Sequence, residues 1–327
     1  MASIRQRADK WQARIARKGF PPEVRSFATR SEAVRWAREI ESAMDSGSFR
    51  SAGKAAALSL LDLLQRYMEQ VSPIKRGYAD EVIRIKALQR TRMAAYSLSN
   101  LTPEVIAAFR DERLGHVKAG AVIRDLSLLS SVINHARREW GLATENPCAL
   151  VRKPATPPGR SRVLSAEERE RLFAALAPSG RRNGWMLPLV QLALYTAMRR
   201  GELLSLRWEH VDLVGRVAFL PMTKNGQPRA VPLSSDASAV LSGLQRSADG
   251  RVFPVSAQTM EAAFKRARTR AGVHDLRFHD LRHTATSEMA AKLPNVIELA
   301  SVTGHRTIQM LKRYYHPDAR ALAQKLG

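Results

Sequence analysis

"LYTAMRRGELLSLRWEHVDL", residues 194–213, is the stretch on which the fold turns. It continues an apolar run, "WMLPLVQLALYTAM" (185–198), and the pattern predicts a helix, a short break and a second helix starting near Arg199. An arginine at a helix N-terminus sits beside free backbone N–H groups and the positive end of the helix dipole, a setting that suits a phosphate. The plain alternative is an ion pair with Glu202. The apolar run contains Pro188 and Gln191 and is too short for a membrane span.

Three stretches downstream carry further reactive side chains. In "RVAFLPMTKNGQPRAVPL" (216–233), two β-like runs flank Asn225-Gly226, the strongest short hairpin signal, which puts Lys224 at an exposed tip. A tip lysine matters only where the tip reaches a site; otherwise it is solvated. In "RFHDLRHTAT" (277–286), His279, Arg282 and His283 share one helical face. The His-x-x-x-His spacing invites a zinc reading, but Asp280 stands where that motif needs glutamate and no third ligand lies nearby, so no metal is expected. The stretch "GHRTIQMLKRYYHP" (304–317) places His305 after Gly304, then Arg313, Tyr314, Tyr315 and His316 on a run consistent with a helix.

Upstream, the chain falls into segments. In 1–52, "KWQARIARK" alternates Trp11, Ala13 and Ile15 with polar residues, as a half-buried strand does. The run "VRSFAT" follows a Gly-Pro-rich turn. Thr29 and Glu32 form a capping box before a helix with the stripe Ala33, Trp36, Ala37, Ile40, Ala43 and Met44, and Gly47 is a plausible stop. The expectation is a β3-α domain with Arg5, Arg7, Arg14, Arg17, Lys18 and Arg25 available on its outer surface. Residues 56–150 read as helical: "LSLLDLLQRYMEQV" ends before Pro73, Thr102 caps a helix with Pro103 at its first position, and Val122, Leu126, Leu129, Ile133, Ala136 and Trp140 keep to one face. A basic Pro-rich linker, 151–163, suits an extended strap. Ser165 and Glu168 then form a capping box that opens a last domain, 164–327.

The 327 residues are enough for two or three cores, and with 45% apolar residues a formal charge of +23 belongs to a folded basic protein. So large a positive field favours polyanions, chiefly nucleic acid, through phosphate contacts and counterion release. Charge alone also fits a ribosome-associated or merely soluble basic protein. A single cysteine, Cys148, allows neither an intramolecular disulfide nor a cysteine zinc site, and the N-terminus lacks the apolar stretch of a secretion signal. A reducing, nucleic-acid-containing compartment is expected, with no membrane partner.

Together these residues resemble the tyrosine recombinase family, the phage integrases in particular. That family's pattern is an arginine in a Thr-Gly-x-Arg-x-x-Glu setting, a hairpin lysine, His-x-x-Arg, Gly-His, and a tyrosine nine residues beyond that histidine. Here the pattern falls in order on Arg199, Lys224, His279 with Arg282, His305 and Tyr314. Ala197 replaces the usual glycine, and Thr303 the usual leucine before Gly-His. The resemblance implies a mostly α, multidomain protein: a β3-α arm-type DNA-binding domain, a helical (SAM-like) core-binding domain and an α+β catalytic domain. It implies strand cleavage by Tyr314 through a 3′-phosphotyrosyl bond, with no cofactor. Lys224 would be the general acid toward the 5′ oxygen, His279 a base or proton shuttle, and His305 a hydrogen bond to the phosphate. It also implies double-stranded attachment-site DNA (core and arm sites), a homotetramer on that DNA, and help from a host DNA-bending factor and an excisionase during integration or excision of a mobile element. "ARALAQKLG" (319–327) would dock on a neighbour or fold back on its own domain. The rival reading is a non-catalytic DNA-binding regulator on the same scaffold.

Spacing from His305 selects Tyr314 over Tyr315. On a helix the two neighbours point about 100° apart, and Tyr315 would share a packing stripe with Ile308 and Leu311.

Overall fold

The alternation of Trp11, Ala13 and Ile15 becomes β2 (Lys10–Ile15), the central strand of an antiparallel sheet between β1 (Ser3–Arg7) and β3 (Glu23–Phe27). These elements belong to a computed structural model that describes residues 2–46, 57–142, 144–156, 159–179, 184–222, 227–315 and 319–327. Ala13 and Ile15 are buried against α1 (Arg30–Asp45), whose Ala33, Ala37 and Met44 close the other side. The Thr29–Glu32 capping box starts α1 as expected, and Ser46 caps its end; Gly47 lies outside the described residues.

Strand register separates the six basic residues that the sequence grouped on one surface. Arg5 pairs with Gln12, Arg7 with Lys10 and Arg14 with Ser3, so Arg5, Arg7 and Arg14 share the face turned away from the helix. Arg25 pairs with Ala13 and therefore lies on the helix side, at the sheet edge, with its guanidinium 5.4 Å from the Phe27 ring. Arg17 and Lys18 lie beyond β2, and Arg17 is ion-paired with Asp45.

The chain divides into two compact units, Met1–Pro158 and Gly159–Gly327. In the first, α2 (Leu60–Gln70), α3 (Tyr78–Gln89), α4 (Pro103–Leu114) and α5 (Ala119–Arg138) bury one apolar core. Leu63, Leu64, Ile85, Ile106, Leu126, Leu129 and Ile133 are all essentially inaccessible. Thr102 caps α4 with Pro103 at its first position. Trp140 falls beyond the end of α5; its ring meets His135 edge-on at 5.0 Å and carries Arg66 at 4.1 Å. Buried Asp125 on α5 accepts from Arg84 of α3 (2.7 Å) and Arg113 of α4 (3.2 Å), which ties three helices at one carboxylate.

In the second unit, α6 (Ala166–Leu176) starts at the expected Ser165–Glu168 box. The apolar run becomes α7 (Met186–Thr196), with Pro188 in its first turn, where a missing N–H costs nothing. After α8 (Arg200–Leu204) come antiparallel strands β4 (Val211–Asp212), β5 (Val217–Leu220) and β6 (Arg229–Pro232). The hairpin strands are as read; Lys224, Asn225 and Gly226 lie outside the described residues. Next follow α9 (Ser235–Ser242), α10 (Ala257–Arg270), α11 (Phe278–Lys292), α12 (Val296–Thr303) and α13 (Ile308–Leu311), then a 3-10 turn, Lys312–Tyr314, and α14 (Ala319–Leu326).

Helix α11 is the spine of this unit. Its Thr284 hydroxyl accepts from Leu164 N–H (2.9 Å), and its buried Asp280 accepts Arg160 Nε on both oxygens (3.0 Å). The basic segment ahead of α6 is thereby strapped along α11.

Candidate active site

Arg199 stands at the N-cap of α8 in extended conformation (φ −72°, ψ 151°). The ion-pair reading holds: its side chain pairs with Glu202 (Nη1 to Oε1, 2.9 Å) and also reaches the Gly304 carbonyl (Nη2 to O, 2.9 Å). Glu202 also accepts Arg199 N–H (2.8 Å) and Arg229 Nη2 (2.7 Å). Burial works to raise the Glu202 carboxyl, but the Arg229 guanidinium and these N–H donors outweigh it and hold the group below its ordinary value.

Arg282, on α11, is buried, and backbone carbonyls hold it. Nη1 donates to Ala197 O and Nη2 to Thr303 O (2.7 Å). Burial first, and then the positive charge of Arg199, pulls its pKa down to about 10, so it stays charged at neutral pH. The two carbonyls are aimed by two left-handed turns. Ala197 ends α7 at φ +51°, where the family pattern has glycine, so this chain accepts local backbone strain at that turn. Gly304 ends α12 at φ +68°, and a Cβ there would lie 2.8 Å from Arg229 Nε, so glycine is required by both conformation and space.

His305 is placed by its neighbours. The Thr303 hydroxyl donates to Leu299 O (2.6 Å) and so accepts from His305 Nδ1 (2.6 Å). This leaves His305 Nε2 as an acceptor facing Arg282 Nη2 at 3.3 Å. Burial, then Arg282 and Arg199, lowers this imidazole to about 3, so it is neutral. Thr303, a departure from the family pattern, thus acts on the site residue beside it.

Tyr314 ends the 3-10 turn, not a continuous helix. Its hydroxyl lies 2.5 Å from His283 Nδ1, and its ring centroid is 6.0 Å from that of His283 and 6.2 Å from that of His305. Burial raises the phenol above its ordinary value, against the lowering pull of Arg313 and Arg282. Tyr315 points elsewhere: its hydroxyl donates to Leu293 O (2.7 Å) and its ring packs near Leu299 and Leu311. The expected stripe through Ile308 is not formed, because Ile308 is exposed. His279 is exposed and meets His283 edge-to-face, with centroids 5.1 Å apart.

Arg199, Arg282, His305 and Tyr314 therefore converge, with His279 one ring away. Lys224 lies outside the described residues. Beside Arg199 and His279 opens a cleft of about 720 Å³ whose wall carries Arg200, Lys265, Arg268 and Arg277. Among the described residues no three His, Cys, Asp or Glu side chains are gathered as metal ligands, and no helix is long and apolar enough to cross a membrane. Sequence reasoning missed Arg229, whose Nη1 also holds Val302 O (2.5 Å), and weighed His283 only as a metal ligand. Two fixed guanidiniums beside a phenol suit a phosphodiester, which guanidiniums bind through paired donors.

A family model described as the phage integrase family matches residues 162–320. The shufflon-specific DNA recombinase of Escherichia coli is 41% identical over 280 residues, covering 82% of this chain and 72% of that protein. A putative integrase/recombinase of Haemophilus influenzae is 32% identical over 331 residues, 97% of this chain and 88% of that one. In fold, the chain is similar to a lambda integrase dimer bound to a COC′ core site (TM-score 0.65, 23% identity, 98% of this chain and 95% of that one). It is also similar to a lambda integrase tetramer bound to a Holliday junction (TM-score 0.63, 23% identity, 93% and 95%). With relatives of this identity matched along most of their length, and with the fold in common, the chain belongs to the phage integrase family of tyrosine recombinases, the site-specific DNA recombinases.

Proposed function

We propose that this recombinase cuts DNA through the Tyr314 hydroxyl, forming a 3′-phosphotyrosyl bond and freeing a 5′-hydroxyl. The observation that carries the assignment is the meeting of Tyr314 with Arg282 and His305 in one half-buried site, while the Tyr315 hydroxyl is spent on Leu293 O. Arg199 and Arg282 hold the non-bridging oxygens and balance the charge that builds in the transition state. Lys224 protonates the departing 5′ oxygen, and His279 shuttles protons at the exposed edge. His305, engaged by Thr303 and Arg282 in the free protein, orients the Arg282 fork. The covalent bond conserves the phosphodiester, so a second 5′-hydroxyl rejoins the strand without ATP.

Double-stranded DNA lies along the basic cleft wall by backbone contacts. Residues 56–150 grip the core site, and residues 1–52 read arm sites through Arg5, Arg7 and Arg14. Like the lambda integrase tetramer, the chain assembles as a homotetramer on two duplexes. It integrates or excises a mobile element in the bacterial cytoplasm, aided by a host bending factor and an excisionase.

The test is a denaturant-resistant protein–DNA adduct on a cognate half-site. Tyr314→Phe binds that DNA as the parent does and forms no adduct, whereas Tyr315→Phe still forms one. An adduct on Tyr314→Phe overturns the assignment.

A further inference from the structure

Nothing in the family pattern absorbs His283, yet in this structure it is the group that touches the Tyr314 hydroxyl, at 2.5 Å from Nδ1. It follows Arg282 on α11, so whatever fixes that arginine also fixes the histidine's helix. Its ring lies between two others, near-parallel to Tyr314 (30°) and edge-to-face with His279. The side chain is half-buried, where water competes poorly for the phenol proton.

Resting on the reading of Tyr314 as nucleophile, we propose that His283 is a catalytic residue of this recombinase, the proton acceptor for the Tyr314 hydroxyl during strand cleavage.

A phenol near pKa 10 is a weak nucleophile at neutral pH unless a neighbour takes its proton. The titratable and charged groups facing His283 are His279 and Arg282 on its own helix, Asp280 one turn back, Arg313 beside Tyr314, and His305 across the site. Burial first, then His279 and Arg313, holds the imidazole down to about 4, so it is neutral, and in its Nε2–H tautomer Nδ1 accepts the Tyr314 hydroxyl proton in a hydrogen bond. With the phenol raised and the imidazole lowered, the proton stays on Tyr314 in the resting protein. It moves only as the oxygen–phosphorus bond forms, because the phenolic oxygen loses its basicity when it becomes an ester oxygen. The incoming phosphate charge favours the resulting imidazolium.

The step balances. The Tyr314 oxygen gains a bond to phosphorus and its proton passes to Nδ1. The 5′ oxygen leaves phosphorus with the bonding pair and takes a proton from the general acid. In rejoining, the 5′-hydroxyl attacks phosphorus and gives its proton back to the deprotonated general acid, while the imidazolium returns its proton to the departing Tyr314 oxygen. The acceptor and the acid are then separate groups, each recycled within one round.

The experiment follows single-turnover adduct formation by the full chain on a nicked half-site, from about pH 6 to 9. His283→Ala removes the acceptor; His283→Asn keeps a polar atom where Nδ1 stands, preserving the contact and the fold without a base of useful strength. Both lower the adduct rate about 10²–10⁴-fold, the range for general acid–base catalysis. Half-site affinity is unchanged, and the rate now climbs about tenfold per pH unit, because phenolate must form unaided. A 5′-bridging sulfur, which relieves only the leaving group, restores neither variant, whereas added imidazole raises the His283→Ala rate. An Asn variant at the parental rate would reduce His283 to a holding contact and overturn the proposal, as would an Ala variant within about threefold of the parent with an unchanged pH profile. Should the parent form no adduct, or Tyr314→Phe form one, the nucleophile assignment itself fails and this proposal falls with it.

Discussion

Glu202→Gln tests whether the arginine cluster is held by charge. The carboxylate is 4% exposed and accepts three donors, Arg199 N–H, Arg199 Nη1 and Arg229 Nη2, at 2.7–2.9 Å. Gln keeps the shape but offers one oxygen, and its NH₂ then faces a guanidinium N–H. One charge-assisted hydrogen bond is lost, about 1.5–3 kcal/mol, and the buried Arg229 guanidinium is left without its counter-charge. Breaking a buried pair from one side costs about 3–5 kcal/mol. The residual Gln oxygen places this variant near the lower end, about 3–4 kcal/mol. For a unit of this size each kcal/mol moves the melting point about 2–4 °C, so the second unit melts roughly 6–16 °C lower. Circular dichroism melts of the full chain read this directly. The control is Glu261→Gln, which breaks an ion pair with Arg200 whose partners are 48% and 50% exposed. It costs less than about 1 kcal/mol. A Glu202→Gln melt within about 2 °C of the parent would refute charge as the organising element of the site.

Two other predictions concern the histidines. His283 and His305 are held near 4 and 3 in the fold and return to about 6.5 when the chain unfolds. Unfolding therefore takes up protons below about pH 6.5, and stability falls with falling pH from there until the folded values are reached. The slope is at most about 1.4 kcal/mol per pH unit for each histidine. Urea midpoints of the second unit between about pH 7 and 5 measure it, and a flat profile would contradict the buried neutral rings. Separately, Thr303→Val removes the acceptor of His305 Nδ1–H; ¹⁵N shifts of that ring lose the single tautomer and Thr303→Ser restores it. An unchanged tautomer in Thr303→Val would show that Arg282 alone sets it.

Much of this was legible in sequence because it is local. The capping boxes at Thr29–Glu32 and Ser165–Glu168 and the Thr102-Pro103 start are chemistry within three residues, and all formed as read. The hairpin strands were legible as two β-like runs either side of the Asn225-Gly226 signal. What escaped is long-range. Arg282 is gripped by carbonyls 85 and 21 positions away, and a backbone carbonyl carries no side-chain signature. Arg229 read as an ordinary strand residue until Glu202 came to meet it. The basic residues of the first sheet were identified, but their division between two faces needed the register. At Tyr314 the expected helix stops short: Tyr315 is drawn out to extended backbone, anchored through its hydroxyl to Leu293.

The carbonyl cradle of Arg282 has a wider meaning. Neutral oxygens fix the guanidinium in direction while leaving its charge unspent, so Arg199, Arg229 and Arg282 face one carboxylate, Glu202. Among the described residues, three guanidiniums around one carboxylate leave the site with an excess of positive charge. On the function proposed above, a bound phosphodiester supplies the negative charge that quiets the mutual repulsion of the arginines. Substrate and fold are each the other's missing counterweight.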